Sequence, residues 1–448
     1  MKKSLLLFAA MAVCSMMLLS CSSSDDAEDL GDAEKVVNML PESKPIYLTP
    51  AQKVFANDNN AFTLNFLKTV NETDQSGKSF IYSPLSITYV LGMVNDAAIG
   101  QTEQELEQTL GFHEGGIQAV NEYCKNLIDN LPLVDKDVTL NIANAIFLNK
   151  EYTLKPQFVE DMQNYYDAKA EALDFSASST LDHINGWCNE KTNGMIPTIL
   201  DVVTPAVSYL LNAIYFKADW TSKFDEKNTK EETFTSENDR ITLPMMHQKV
   251  LINYKENDIY SAVQIPYGNG MWSIEVMLPN EGKTTDDIIN YVQTYGINDA
   301  YMYTDAYMYT TTEEMPKFIY RAHEVDLKLP RFETSSDTDN LPIDKGLIGL
   351  LKKMGIRCAF GDGKVEIPNM ANVPVFIGMM RQKAKIKVNE EGSEAAAMTI
   401  AGMFEMALGP TTPPEYPEAT FHANRSFVYA IREASSGVIL FVGKFTGQ

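Results

Sequence analysis

Cysteine is scarce, with five in 448 residues at Cys14, Cys21, Cys124, Cys188 and Cys358. None has another Cys or a His at metal-ligand spacing, so neither a zinc site nor a disulfide scaffold is indicated. Histidine is equally thin: His113, His183, His247, His323 and His422 stand apart, with no His-Glu-x-x-His pair. There is no Gly-x-Ser-x-Gly turn and no phosphate loop, since Gly361-Asp362-Gly363-Lys364 is a turn signal without the rest of one. Nothing favours an enzyme, and no catalytic residue, cofactor or metal is expected. Positive charge is also short. The 37 Lys and Arg against 60 Asp and Glu leave a net charge of −23, which excludes the basic patches of a nucleic-acid binder. The leading apolar run falls short of the ~20 residues that span a bilayer.

What is present begins with a basic Met1-Lys2-Lys3 and the apolar Leu5 to Val13, a secretory signal. It ends in Leu18-Leu19-Ser20-Cys21, which looks like a bacterial lipobox; Cys21 is then the lipidated first residue of the mature chain, with plain cleavage as the other reading. Loss of Lys2 and Lys3 takes the charge to −25. Cys14 leaves with the signal, so Cys124, Cys188 and Cys358 remain, read as buried free thiols with a single disulfide as the alternative. Ser22 through about Pro45 is polar and acidic, a tether. The organisation is therefore a signal at 1–20, a lipidated tether at 21–48 and one folded domain at 49–448. The expected location is the cell envelope, as an outer-membrane lipoprotein, and the acidic run behind Cys21 resembles a surface-export signal.

Along the domain, Ser83-Pro84 predicts a helix start, with Ile87, Val90, Leu91 and Val94 on one face. Thr102-Glu103-Gln104-Glu105 predicts a capping box for a second helix that carries Leu106 and Leu110 and stops at Gly111. Val138, Leu140 and Ile142 open a strand that continues through Phe147. Phe158, Met162, Tyr165 and Tyr166 predict a helix, as do Ile184, Trp187, Cys188 and Lys191 before Asn193-Gly194. Tyr209 to Phe216 is an apolar strand interrupted by Asn212, whose amide must find partners if buried. Trp272, Ile274, Val276 and Leu278 alternate as another strand. The hexamer Asp299 to Thr304 is repeated at once as Asp305 to Thr310, too short and too few for a solenoid.

Lys383, Lys385 and Lys387 alternate with Ala384, Ile386 and Val388 as a strand with one apolar face. It stops at the acidic turn Asn389-Glu390-Glu391-Gly392. Ser393-Glu394-Ala395-Ala396-Ala397-Met398-Thr399-Ile400-Ala401-Gly402 then has a single charge and no proline. As a strand it puts Ser393, Ala395, Ala397, Thr399 and Ala401 on one buriable face; as a helix it has high Ala propensity, and both readings stay open.

The run Val388 to Thr399 resembles the hinge of an inhibitory serpin. Phe421-His422-Ala423-Asn424-Arg425-Ser426-Phe427-Val428-Tyr429 resembles that family's carboxy-terminal signature, with Ser426 where proline is commoner. Phe80 to Ile87 and Asn212 to Trp220 are similar to two further family segments, and the four lie in family order across residues 49–448. The resemblance implies an α+β serpin fold of eight or nine helices and three β-sheets, with an exposed reactive loop at about 390–420. It implies a hinge at Glu390, Glu391, Gly392, Ser393, Glu394, Ala395, Ala396 and Ala397. Ser83, Ser86 and Asn212 would form the shutter beneath the sheet with Gln382, which stands where His is usual, and Trp220 would sit at the top, where insertion begins. The helix bearing Trp187 would lie across the main sheet.

The implied function is suicide inhibition of serine proteases, with some cysteine proteases as further targets. The protein would act as a monomer attached to the membrane by its N-terminal lipid, without nucleic acid. Family spacing counted from Gly392 puts the reactive bond at Met406–Ala407, with Phe404 and Leu408 as alternates. No Lys or Arg occurs from Ser393 to Thr420, so the targets are chymotrypsin-, elastase- or subtilisin-like rather than trypsin-like. The alternative is a non-inhibitory surface binding protein on the same scaffold.

Overall fold

The computed structural model describes residues 43–113, 115–204, 207–237, 239–297, 319–392 and 415–447. Cys21, the hinge residues Ser393, Glu394, Ala395, Ala396 and Ala397, the bond Met406–Ala407 with Phe404 and Leu408, and the Asp299–Thr310 repeat lie outside the described residues.

Eight α-helices are described: α1 (Pro50–Thr73), α2 (Pro84–Ala97), α3 (Gly100–Leu110), α4 (Gly116–Asn130), α5 (Pro156–Tyr166), α6 (Ser179–Lys191), α7 (Thr285–Tyr295) and α8 (Leu347–Met354). Ser83 caps α2 as predicted, its side chain accepting from Ser86 N with Pro84 in the first position. Ile87, Val90, Leu91 and Val94 are fully buried, but so is nearly every other residue of α2, which threads the interior instead of lying on its surface. The capping box at Thr102 is a correction. Helix α3 starts earlier, at Gly100, and the Thr102 hydroxyl accepts from Glu366 N across the fold. The predicted stop holds, with Gly111 left-handed.

The strands are β1 (Phe80–Tyr82), β2 (Thr139–Asn149), β3 (Lys169–Leu173), β4 (Ser208–Lys217), β5 (Lys230–Thr235), β6 (Arg240–Glu256), β7 (Tyr260–Tyr267), β8 (Trp272–Pro279), β9 (Arg321–Pro330), β10 (Phe332–Asp337), β11 (Met379–Val388), β12 (Glu418–His422), β13 (Phe427–Glu433) and β14 (Ile439–Phe445). One sheet has five strands in the order β10-β11-β4-β2-β3. The other strands form a continuous network, β1-β14-β13-β8-β7-β6-β9-β12 with β5 on β6. Two of the three expected sheets are joined here because β6 is long: its first half pairs with β5 and its end, from Asn253, with β7. In β8 the predicted face is buried, and Glu275 and Met277 of the other face are buried too.

Strand alternation divides the five-stranded sheet between two cores. Ile146, Leu148, Leu210 and Ile214 join the main core. Phe147, Tyr209 and Leu211 point the other way, into a smaller core closed by Ile184, Trp187 and Cys188 of α6. Helix α6 therefore covers one face of this sheet. Cys124, Cys188 and Cys358 are buried and unpaired. The folded body starts before the predicted boundary at 49, since Lys44 N donates to Val134 O at 3.2 Å, Ile46 N to Ser435 Oγ at 2.8 Å, and Ile46 is buried.

Candidate functional site

Three of the four strand pairings in the smaller sheet are long or complete ladders, but the pairing of β11 with β4 is not. They run parallel and pair only from Met379↔Tyr209 to Lys383↔Ala213, although β11 continues to Val388 and β4 to Lys217. Above Lys383 the two strands part around a narrow cleft, with Phe216 and Trp220 on one wall and Ile386 and Val388 on the other. Among the described residues the backbone edges facing that cleft have no ladder partner, a costly arrangement inside a sheet.

At the last paired rows the seam is polar. Gln382 of β11, Asn212 of β4 and Asn144 of β2 share one cross-strand row. Asn212 Nδ2 donates to Asn144 Oδ1 at 2.9 Å, and Gln382 Nε2 reaches Asn212 Oδ1 at 3.5 Å, the limit of a hydrogen bond. Gln382 also grips the backbone of Ser83 reciprocally, donating to Ser83 O at 2.9 Å and accepting from Ser83 N at 3.0 Å. Ser83 Oγ donates to Leu440 O at 2.7 Å and lies 3.0 Å from Ser86 Oγ. Glutamine thus fills the place where the resemblance expects histidine, because an amide both donates and accepts. Asn212 reaches Ser83 only through Gln382. Asn144 was not singled out from sequence; the signal available was one amide inside the apolar run Ala143-Asn144-Ala145-Ile146-Phe147. Replacing Asn212 with Leu leaves two buried amides each short of a partner. We expect a loss of about 1–3 kcal/mol in urea unfolding, and an unchanged midpoint would show that the row is not coupled.

At the top of the seam the turn after β11 is fastened to the end of β4. Trp220 N donates to Glu391 O at 3.2 Å, Trp220 Nε1 to Asn389 O at 2.7 Å, and Phe224 N to Glu390 O at 3.0 Å. The Trp220 indole stacks on Tyr267, centroids 4.5 Å apart and planes 10° from parallel. Gly392 has φ +73°, and a Cβ there would lie 2.1 Å from Trp220 N, so only glycine fits. Glu390, read from sequence as part of an acidic turn, is 2% exposed. Arg331 holds it with two bonds, Nη2 to Oε1 at 2.6 Å and Nε to Oε2 at 3.0 Å, and Thr229 Oγ1 adds a third at 2.6 Å. Burial opposes ionisation of Glu390, but the bonds from Arg331 and Thr229 outweigh it and hold the carboxyl below the ordinary range. Arg331 and Thr229, far away in sequence, were missed.

Across the lower seam, Lys383 Nζ donates to Thr198 O at 2.8 Å and Arg381 Nη2 lies 3.2 Å from Asp201 Oδ2. These bonds tie the segment between α6 and β4 to β11, so anything that widens the seam must release them.

The architecture is that of an α+β protein in which, among the described residues, the five-stranded sheet is closed below and open above, with a pinned turn at the opening. The sequence profile described as Serpin (serine protease inhibitor) matches residues 57–447. Serpin B6 of Pongo abelii is 30% identical over 404 residues, covering 88% of this chain and 99% of its own. Human leukocyte elastase inhibitor is 30% identical over 399 residues, covering 87% and 98%. Among solved structures, the thermophilic serpin tengpin in its native state matches with a TM-score of 0.73 at 23% identity, over 92% of this chain and 98% of tengpin. The chain belongs to the serpin family.

Proposed function

We propose that this serpin inhibits serine proteases of chymotrypsin-, elastase- or subtilisin-like specificity by being cut and then inserting the freed segment into its own sheet. The observation that carries the proposal is the seam. A strand that follows the turn at Asn389–Gly392 runs antiparallel to β11, and because β11 and β4 are parallel it is antiparallel to both. One short parallel ladder is exchanged for two antiparallel ones, the more stable kind per residue, and the free edges above Lys383 gain partners.

The chemistry belongs to the protease. Its serine hydroxyl attacks the carbonyl of the reactive bond, the amine half leaves, and an ester joins protease to serpin. Met406–Ala407 is the proposed bond, with Phe404 and Leu408 as alternates. Insertion from Ser393 onward would then carry the tethered enzyme down the sheet and distort its active site before water completes the hydrolysis. The absence of Lys and Arg between Ser393 and Thr420 argues against trypsin-like targets, whose buried Asp requires a cation. We place the protein in the cell envelope, as a monomer held by lipid on Cys21, on the strength of the signal and lipobox.

The test is electrophoresis in SDS after mixing with elastase, chymotrypsin or trypsin. A covalent band with either of the first two and none with trypsin is expected. Complete cleavage with no such band overturns inhibition and leaves a binding protein on a serpin scaffold.

A further inference from the structure

The N-terminal segment joins the folded body at Lys44–Ile46, and the junction is fixed at one end of the five-stranded sheet. Lys44 N donates to Val134 O, and Ile46 N to Ser435 Oγ. Val134 lies just ahead of β2, whose first residue, Thr139, stands opposite Lys217 at the upper end of β4. A short run of bonds leads on to the hinge turn. Asn269 Nδ2 donates to Val134 O at 3.2 Å, the adjoining Gly268 N donates to Asp219 O at 2.8 Å, and Trp220 N, next in the chain, donates to Glu391 O. The N-terminal segment and the segment after Gly392 therefore leave the body from the same end of the sheet.

That end also carries exposed apolar side chains. Tyr47 is 84% exposed, although its carbonyl accepts from Asn126 Nδ2 of α4, and Leu133, beside the residue whose carbonyl holds Lys44, is 51% exposed. Taking either out of water is favourable, and a tyrosine suits the headgroup boundary of a bilayer, with an apolar ring and a hydroxyl that stays wet. The exposed charges adjoining them in sequence, Lys44, Lys136 and Asp137, carry no negative excess in a chain whose net charge is −23. We propose that the protein, anchored through Cys21, seats Tyr47 and Leu133 on the bilayer and so presents its reactive loop beside the membrane, to proteases working at that surface. The proposal rests on the lipid anchor given under the proposed function.

Chain length selects a lipid surface as the occupant of this face. Ser22 to Ser43 is 22 residues, a span of at most roughly 75 Å when fully extended. The lipid on Cys21 thus keeps the seat within reach of the bilayer and makes docking intramolecular, so a small patch suffices. A soluble partner has no such advantage. The lower end of β4 is about 30 Å further from the seat. With the seat down, a protease already on the bilayer meets the loop directly, whereas one from solution must enter the gap beneath the body.

The mature chain from Cys21, coupled through that thiol to phosphatidylcholine vesicles bearing maleimide lipid, tests the orientation without relying on cellular lipidation; Cys124, Cys188 and Cys358 are buried and spared. The native tryptophans are buried, which leaves an added indole as the reporter. With brominated lipid in the vesicles, the indole of Tyr47→Trp is expected to be quenched at least about twofold more than that of Val202→Trp, a 61% exposed position ahead of the lower end of β4. Adding Leu133→Asp is expected to remove the difference. Equal quenching at the two positions, or a difference that survives Leu133→Asp, overturns the seat. Elastase attack on the loop, counted as cleavage and complex together, is the second readout. Deleting residues 25–38 leaves at most roughly 30 Å of tether, less than the roughly 40 Å width of an elastase-sized protein. Coupling this shortened chain to vesicles is expected to slow attack at least about tenfold against the same chain uncoupled, and an unchanged rate overturns the orientation. The failures separate: a loop attacked at the expected rates without any covalent complex defeats only the inhibitory reading, and a natural mature chain whose mass shows no lipid defeats the anchor.

Discussion

A single nick by elastase within residues 393–414 is expected to raise the melting midpoint by at least ~10 °C. For a chain of this length a kcal/mol moves the midpoint by less than about 2 °C, so the shift corresponds to more than about 5 kcal/mol of added stability. Its source is visible in the intact protein. Among the described residues, the backbone of β11 from Ala384 to Val388 and of β4 from Ile214 to Lys217 lacks a ladder partner across the seam, and Phe216, Ile386 and Val388 line the cleft between them. An incoming strand supplies hydrogen bonds to both edges and covers those side chains, and neither gain is available while the segment is held at both ends. The companion variant is Ser393→Arg. Serine at that position puts nothing costly on the inward face, whereas a guanidinium there would be buried without a partner, at several kcal/mol. Calorimetry of the nicked variant is expected to show no upward shift, and elastase to process it as a substrate without a covalent complex. A nicked native protein that melts no later than the intact one contradicts the mechanism.

Trp220→Ala is expected to cost about 3–5 kcal/mol, the range for emptying a large aromatic site. The indole is 2% exposed, stacks on Tyr267, packs edge-on against Phe224 at 6.2 Å and bonds to the Asn389 carbonyl. Removal hollows out the top of the seam and frees one of the bonds that hold the hinge turn. Trp220→Phe keeps an aromatic ring over Tyr267 and loses the one side-chain bond, so about 1 kcal/mol is expected. Urea unfolding gives the two values, and limited proteolysis at residues 389–392 gives the second readout: cutting there should accelerate in the Ala variant well beyond the global loss of stability. Equal costs for Ala and Phe would show that the stack does not support the hinge.

What could be read from sequence was what local chemistry controls. Ser83-Pro84 starts a helix because the cap and the proline act within one turn, and β4 and β11 stand out because alternation and apolar runs are carried by neighbouring residues. The misses have the opposite character. Thr102 looked like a cap, but its hydroxyl is taken by Glu366, 264 residues away. The partnership of Asn144 with Asn212 and Gln382 depends on the register of three strands, which no single strand encodes. The acidic turn gave no sign that Glu390 is held by Arg331, 59 residues earlier. Nothing in the composition of β6 marks where one edge passes from β5 to β7, so the joining of two sheets was invisible. Hinge and shutter residues came from family likeness; Ser83, Ser86, Asn212, Trp220 and Gln382 have the contacts given above, and Ser393 to Ala397 lie outside the described residues.

The row Gln382–Asn212–Asn144 also imposes a condition on any newcomer. Parting β11 from β4 by one strand spacing, about 4.8 Å, pulls the Gln382 amide away from Asn212 and leaves a gap with a donor on one bank and an acceptor on the other. A wholly aliphatic guest would strand both groups in the dry middle of the sheet. Selection on the guest sequence should therefore preserve a hydroxyl among its small side chains, and Ser393 and Thr399 are the hydroxyl-bearing members of its inward-facing set.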